Sequence, residues 1–375
     1  MANQTELALA LRWERLALRL PAYRAWRRMA GWYKRLLRWE FWPPYVFYPP
    51  VVAYIIFLGF RFRNWTLFTA ANPAIPAAGF VGESKYEILR QLRGVPSAIP
   101  AHILLVHSET GERLRQAEAF LQENQLSFPV VLKPDAGQRG LGVAIIRSSR
   151  QLREYLEKAP FPVILQEYVA GKEFGIFYYR YPGESRGHIL SITEKRMPVL
   201  AGDGRRTVED LILRDDRAVC MADFYLRQNS KRLQYVPAVG EQVQLVEIGA
   251  HCRGAIFLDG NFAITPALEK AMQQIADGFE RFYFGRFDVR VPSIADLMAG
   301  RNLKVIELNG VTSEATHIYD PKLSLFDAYR TLFRQWRIAF EIGRRNHYRG
   351  ANPSSLVDLL KRIRDYRQLA QQYPQ

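Results

Sequence analysis

The stretch PVVLKPDAGQRGLGV, residues 129–143, decides how this chain folds. An apolar strand ends in Lys133; a turn follows, then Gly137, Gly140 and Gly142 within six residues. The lysine precedes the glycines, so this is not the G-x-x-x-x-G-K-[ST] loop that opens a helix. Glycines without a Cβ let backbone amides approach phosphate oxygens closely. A strand–loop–strand flap of this kind predicts a cover folded down over a phosphate. An ordinary glycine hairpin between two strands is the plainer alternative, and neighbouring motifs decide between them.

Two further segments supply that company. In VILQEYVAGKEF an apolar strand ends at Gln166, Glu167, Tyr168 and Val169, with Glu173 six residues after Glu167. Such a linker offers backbone groups to an adenine edge and a carboxylate to ribose hydroxyls. In FDVRV and VIELNG, Asp288, Glu307 and Asn309 sit near the ends of two apolar strands. Glu307 and Asn309 are two apart and share a face. Burying that much oxygen is costly without a cation, and hard oxygen donors completed by phosphates suit Mg²⁺.

From residue 85 onward the pattern alternates helix and strand. Helices are predicted at 85–93, 111–123, from Ser148 and over ALEKAMQQIADGFERFY (267–283), and strands at 101–106, PVVLK, GVAII, FPVILQEYV, EFGIFYYRY, GRFDVRV and NLKVIELNG. Asn352-Pro353-Ser354-Ser355 marks the start of a last helix. The fold class is therefore α/β.

These motifs, in this order, resemble the ATP-grasp ligases of the D-alanine–D-alanine-ligase-like carboxylate–amine type. The resemblance covers about residues 75–325. It takes in Lys85 in GESKYEIL, 48 residues before Lys133; the glycine loop; QEYV…GKEF; GDGRRTVEDLI (202–212); and GRFDVRV…VIELNG. It implies ATP held between two α+β subdomains, with two Mg²⁺, or alternatively Mn²⁺, bridging its phosphates. Lys85 and Lys133 would hold phosphates under the amides of 137–142. Gln166, Glu167 and Val169 would line adenine, and Glu173 would take ribose. Asp288, Glu307 and Asn309 would bind metal. Lys195 would be a third phosphate contact, and Arg286 would steady the transferred phosphate. His251 and Arg253, in HCRGA, either bind substrate or are structural. Thr312, Ser313 and His317 follow the metal strand as a substrate loop does. The implied chemistry activates a carboxylate as an acyl phosphate for attack by an amine. A thiol or hydroxyl acceptor, or a nucleotide-binding regulator without turnover, are the alternatives.

The N-terminus departs from the family, whose members begin with a separate α/β domain. The net charge of +15 is concentrated at the ends. Residues 1–63 carry 11 Lys/Arg against 3 Asp/Glu, and residues 328–375 carry 10 against 3, while the middle is neutral. Residues 5–39 read as an amphipathic helix broken near Pro21, with Leu7, Leu11, Leu18, Trp26, Met29 and Leu36 opposite arginines. Residues 41–60 are uncharged, but Pro43, Pro44, Pro49 and Pro50 leave too short a helix to span a bilayer, so a dipping or re-entrant hairpin is expected. Basic residues beside apolar runs favour an anionic membrane surface over nucleic acid. Cys220 and Cys252 form no disulfide framework, and no signal-peptide cleavage site follows the first apolar run. The expectation is a protein on the cytoplasmic face of a membrane, acting on small-molecule or lipid-linked carboxylates and amines. The expected organisation is a membrane-associating segment (1–63), an entry subdomain (64–125), an ATP-binding lid (126–200), a subdomain with the metal site (201–327) and a basic helical tail (328–375).

Overall fold

The computed structural model describes residues 21–92, 95–106 and 108–373. The chain forms two compact units that interleave in sequence. One is built from residues up to Phe47 together with Met197–Ile256, the other from Tyr48–Arg196 and Phe257–Gln375.

The larger unit contains two antiparallel sheets. In the first, β1 (His102–Leu105), β4 (Val163–Glu167), β2 (Val130–Pro134) and β3 (Ala144–Ile146) lie side by side in that order. Val130, Leu132, Val163 and Leu165 form one apolar face, packed with Leu114, Ala117 and Phe120 of the helix Thr110–Glu123 and Leu152 and Leu156 of the helix Ser149–Glu157. Strand alternation turns Lys133 and Gln166 to the opposite face. In the second sheet the order is β11 (Lys304–Asn309), β10 (Phe284–Val291), β5 (Lys172–Tyr179), β6 (His188–Arg196) and β9 (Ile256–Asp259). Phe287, Val289, Val291, Phe174 and Ile176 bury one face of it against Leu268, Met272 and Ile275 of the helix Pro266–Asp277. That helix is shorter than its sequence predicts: it ends at Asp277, capped by Gly278, and Phe279 and Phe282 turn into the core.

The uncharged segment after residue 40 is helical from Pro49. Helix α2 (Pro49–Arg61) packs Leu58 into a core shared with Ile338, Phe340 and Ile342 of α4 (Leu325–His347), while Val52, Ile56, Phe57 and Phe60 stay exposed. Among the described residues no helix is long and apolar enough to cross a membrane. Fully buried Asn72 ties residues 64–80 to β10: its Oδ1 accepts from the amides of Tyr283 and Phe284, and its Nδ2 donates to the Phe284 carbonyl. The last helix, α5 (Leu356–Ala370), begins as Asn352–Ser355 predicts, with the Ser355 hydroxyl accepting from the Asp358 amide.

In the smaller unit, GDGRRTVEDLI supplies the helix Val208–Arg214, started by a reciprocal cap between Thr207 and Asp210. β7 (Val199–Ala201) and β8 (Gln242–Gln244) pair as a two-stranded antiparallel sheet beside a core of Val208, Ile212, Tyr225 and Leu245. Helix α1 (Pro21–Leu37) belongs here. Leu7, Leu11 and Leu18 lie outside the described residues.

Candidate active site

The site is laid out by register. β10 and β11 pair so that Asp288 stands opposite Glu307 and Arg286 opposite Asn309. Cross-strand partners and residues two apart share a face, so all four side chains project together. β5 continues the rows, with Gly175 opposite Asp288 and Glu173 opposite Arg290, and β6 places Lys195 opposite Glu173. Gly175 makes room: a Cβ there would sit 3.1 Å from Arg286 Cδ and 3.2 Å from Asp288 Oδ1.

Asp288 is held between two cations. Arg286 Nε donates to Oδ1 at 2.9 Å, and Lys195 Nζ lies 3.0 Å from Oδ2. Burial would raise the carboxyl, but Arg286 and then Lys195 overcome it and bring Asp288 down to about 2. Lys195 also donates to Glu173 Oε1 at 2.9 Å, and the other Glu173 oxygen accepts from Arg290 at 3.0 and 3.2 Å. Arg290 reaches on to the Val169 carbonyl at 2.7 Å and lies over the Tyr168 ring.

The lysines come from other elements. Lys85 opens helix α3 (Lys85–Gln91), capped by Ser84, and donates to Glu307. Burial opposes its charge, yet Glu307, helped by Glu83, holds the ammonium above the ordinary lysine range. Lys133 donates to Gln166 Oε1 and to the Ile306 carbonyl, both at 2.9 Å, and so joins the first sheet to β11. Burial is the largest influence on it and outweighs the pull of Glu307, leaving its ammonium at about 8. The glycine loop is anchored at both ends. Asp135 accepts from the Ser84 hydroxyl and the Tyr86 amide, and the Gly142 carbonyl accepts from Tyr155. Gly140 and Gly142 adopt φ of 71° and 72°, which glycine takes without strain.

The structure thus gathers Lys85, Lys133, Gln166, Glu173, Lys195, Arg286, Asp288, Glu307 and Asn309. Glu167 is pinned aside, its carboxylate accepting from the Ala101 amide. The Thr312 hydroxyl donates to the Phe80 carbonyl and that of buried Ser313 to the Gly310 carbonyl. His317 is buried, and burial lowers its imidazole below the ordinary range. His251 and Arg253 belong to the smaller unit, where His251 Nε2 lies 3.6 Å from Glu40 Oε2 and Arg217 binds both Glu40 oxygens. Several residues were not singled out from sequence. Arg290 shares the face of Arg286 and Asp288, and the alternation of RFDVR carried that signal. Tyr48, which donates to Glu314 Oε1 at 2.8 Å, and Glu314, whose carbonyl accepts from Arg286, are joined only by folding.

Residues 99–175, spanning β1 to β4 and the start of β5, match the family described as the RimK-like ATP-grasp domain. That stretch of the chain is similar to an ATP-grasp domain. Over 75 residues, 19% of its length, the chain is 29% identical to the arginine-specific large chain of carbamoyl phosphate synthase from Bacillus subtilis, but spans only 7% of that protein. Among solved structures it is similar to a D-alanine–D-alanine ligase from Bacillus anthracis, at 16% identity and a TM-score of 0.41 over 71% of this chain and 69% of that one. It is also similar to a bifunctional glutathione synthetase from Pasteurella multocida, at 16% identity and a TM-score of 0.36 over 67% of this chain and 35% of that one.

ATP-grasp ligases use ATP and Mg²⁺, and the residues present fit both. Two carboxylates and an amide form a hard-oxygen set suited to Mg²⁺. Asn309 Nδ2 is buried with no hydrogen-bond partner among the described residues, an orphan that a bound group would explain.

The burial of Lys133 makes a pH prediction. A phosphate set beside Lys133 would favour its charged form and move its ammonium up from about 8. Binding of Mg–ATP at pH 8–9 is therefore expected to take up a proton, approaching about one per site. Calorimetry in buffers of different ionisation enthalpy measures it, and Lys133→Met abolishes it. In the free protein the sign is opposite. A lysine lowered by folding binds fewer protons than in the unfolded chain, so this group's contribution to stability rises between about pH 8 and the unfolded lysine range.

Proposed function

We propose that this protein is an ATP- and Mg²⁺-dependent ligase that activates a carboxylate as an acyl phosphate for attack by an amine. The observation that carries the reading is the register pair Asp288–Glu307 and Arg286–Asn309, set beside two buried lysines from separate elements. A carboxylate is a poor electrophile, and phosphorylation gives it a leaving group. The bound metal supplies neutralisation of charge on the transferring phosphoryl group. Lys85 and Lys133 would orient the phosphates, and the amides of residues 137–142 would cover them and exclude water. Arg286, held along the sheet by Asp288, would present its remaining donors to the equatorial oxygens. No covalent side-chain nucleophile is required.

The substrates in this reading are a carboxylate and an amine, drawn from small molecules or from lipid-linked material at the cytoplasmic face of an anionic membrane. The two basic ends of the chain support that location. Incubation of the full chain with Mg–ATP and a broad panel of carboxylates and amines is expected to release ADP with one pair, giving a product whose mass is the sum less one water. ATP binding, seen as a raised melting temperature, without ADP formation across that panel would overturn the reading.

A further inference from the structure

Helix α1 is folded onto its unit with the wrong face outward for a packing helix. Its polar side meets the protein. Arg27 donates from Nε to the Leu213 carbonyl at 2.7 Å and from Nη2 to the Arg214 carbonyl at 2.9 Å, capping the helix Val208–Arg214. Arg24 lies 3.2 Å from Glu209, and Lys34 donates to Asp216. Between them Gly31 presses so close that a Cβ there would sit 2.5 Å from the Val219 carbonyl oxygen. These residues recur at spacings of three and four and define one side of the helix.

The opposite side carries Trp26, Met29, Trp32, Tyr33, Leu36 and Leu37, which are 51, 63, 62, 59, 48 and 68% exposed. Six large apolar side chains on one helical face exceed the scattered apolar residues of an ordinary surface. In a helix that merely covers a core, they would point inward and the arginines outward. Exposed Arg28 and Arg35 flank the apolar face, and Pro21–Leu37 contains no acidic residue.

We propose that this outward face of α1 docks on an anionic lipid surface, with Trp26, Trp32 and Tyr33 at headgroup depth and Arg28 and Arg35 on lipid phosphates. Tryptophan and tyrosine concentrate at such interfaces, and an apolar face with basic flanks is the composition that lies in them. A second copy of this chain would bring the same cations into contact, and a nucleic acid would meet an apolar face. The inference deepens the membrane part of the proposed function and is independent of the ligase chemistry.

Cosedimentation tests it with the full chain and vesicles of phosphatidylcholine containing roughly one-third phosphatidylglycerol. The full chain is expected to bind these vesicles, to bind pure phosphatidylcholine far less, and to be released by salt. The double variant Met29→Glu, Leu36→Glu alters only exposed positions, and its partition onto the anionic vesicles is expected to fall at least about tenfold. Equal binding by variant and wild type, or binding by neither, overturns the proposal. So does a wild-type dimer that the double variant turns into a monomer without lipid, since the face would then be an interface between copies. A polarity-sensitive dye on Met29→Cys should report water without vesicles and an apolar setting with them; an apolar setting without lipid would mean that the chain itself covers the face. Mg–ATP should raise the melting temperature of the double variant as much as that of wild type, so failure of docking leaves the ligase reading standing.

Discussion

Asp288→Asn is expected to lower Mg²⁺-dependent ADP formation by about 10³-fold or more while leaving the chain folded. Asparagine keeps the shape of the side chain and removes the charge that Arg286 and Lys195 share. A metal held on this face would lose an anionic ligand, and Arg286 would lose the partner that aims it along the sheet over Gly175. Lys195 retains Glu173, so the fold is weakened by about 2 kcal/mol rather than lost. Urea denaturation measures that part, and ADP release measures the other. Glu307→Gln should act similarly, freeing Lys85. Wild-type turnover in both variants would remove the metal assignment. The pH dependence adds an independent check. A carboxyl lowered by folding stabilises the protein above its unfolded value, and that stability is lost as pH falls towards the folded value. The Asp288 contribution therefore disappears between about pH 4 and pH 2. The Asp288→Asn variant should lack that part of the acid limb.

The face that carries Asp288 was legible because strand alternation is a local rule. FDVRV and VIELNG each state which residues share a side, and the hairpin register then brings Arg286 to Asn309 and Asp288 to Glu307. The glycine loop was legible for the same reason. What could not be read is the partnering of these charges across elements. Glu173 was expected to meet ribose hydroxyls; that its two oxygens meet Lys195 and Arg290 is a pairing set by which strands flank β5. Nothing local ties Lys133 to the Ile306 carbonyl, 173 residues away. The interleaving of the two units has the same origin, because it depends on where the chain after Arg196 returns, and loop composition does not encode that. The amphipathic pattern of α1 was visible, but the choice of which face meets the protein rests on Gly31 and on the carbonyls that Arg27 finds at Leu213 and Arg214.

Tyr373→Ala is expected to raise the Mg–ATP concentration for half-saturation about tenfold, with little change in the maximal rate. The Tyr373 hydroxyl donates to the Ala136 carbonyl at 2.6 Å, at the root of the glycine loop. Its ring stands edge-on to Phe161 with centroids 4.6 Å apart, within the core beneath the four-stranded sheet, where Leu369 and Ala370 also pack. Earlier, on α5 itself, burial pushes the Tyr366 hydroxyl above the ordinary tyrosine range. Tyr373, just after α5, therefore holds Ala136 at the root of the loop in place before any nucleotide arrives. A loop ordered in advance spares ATP the entropic cost of ordering it, roughly 1 kcal/mol for each backbone residue fixed. Removing the ring also leaves a cavity worth about 3 kcal/mol, which loosens the sheet that carries Lys133. Tyr373→Phe separates the two effects. It keeps the ring and removes only the hydrogen bond, so a loss of about 1 kcal/mol, close to fivefold in affinity, is expected. Equilibrium binding of Mg–ATP to the wild type and both variants gives the comparison. Equal affinity in all three would mean that this helix braces the sheet without setting the loop, whereas a graded loss ties the end of the chain to the nucleotide site.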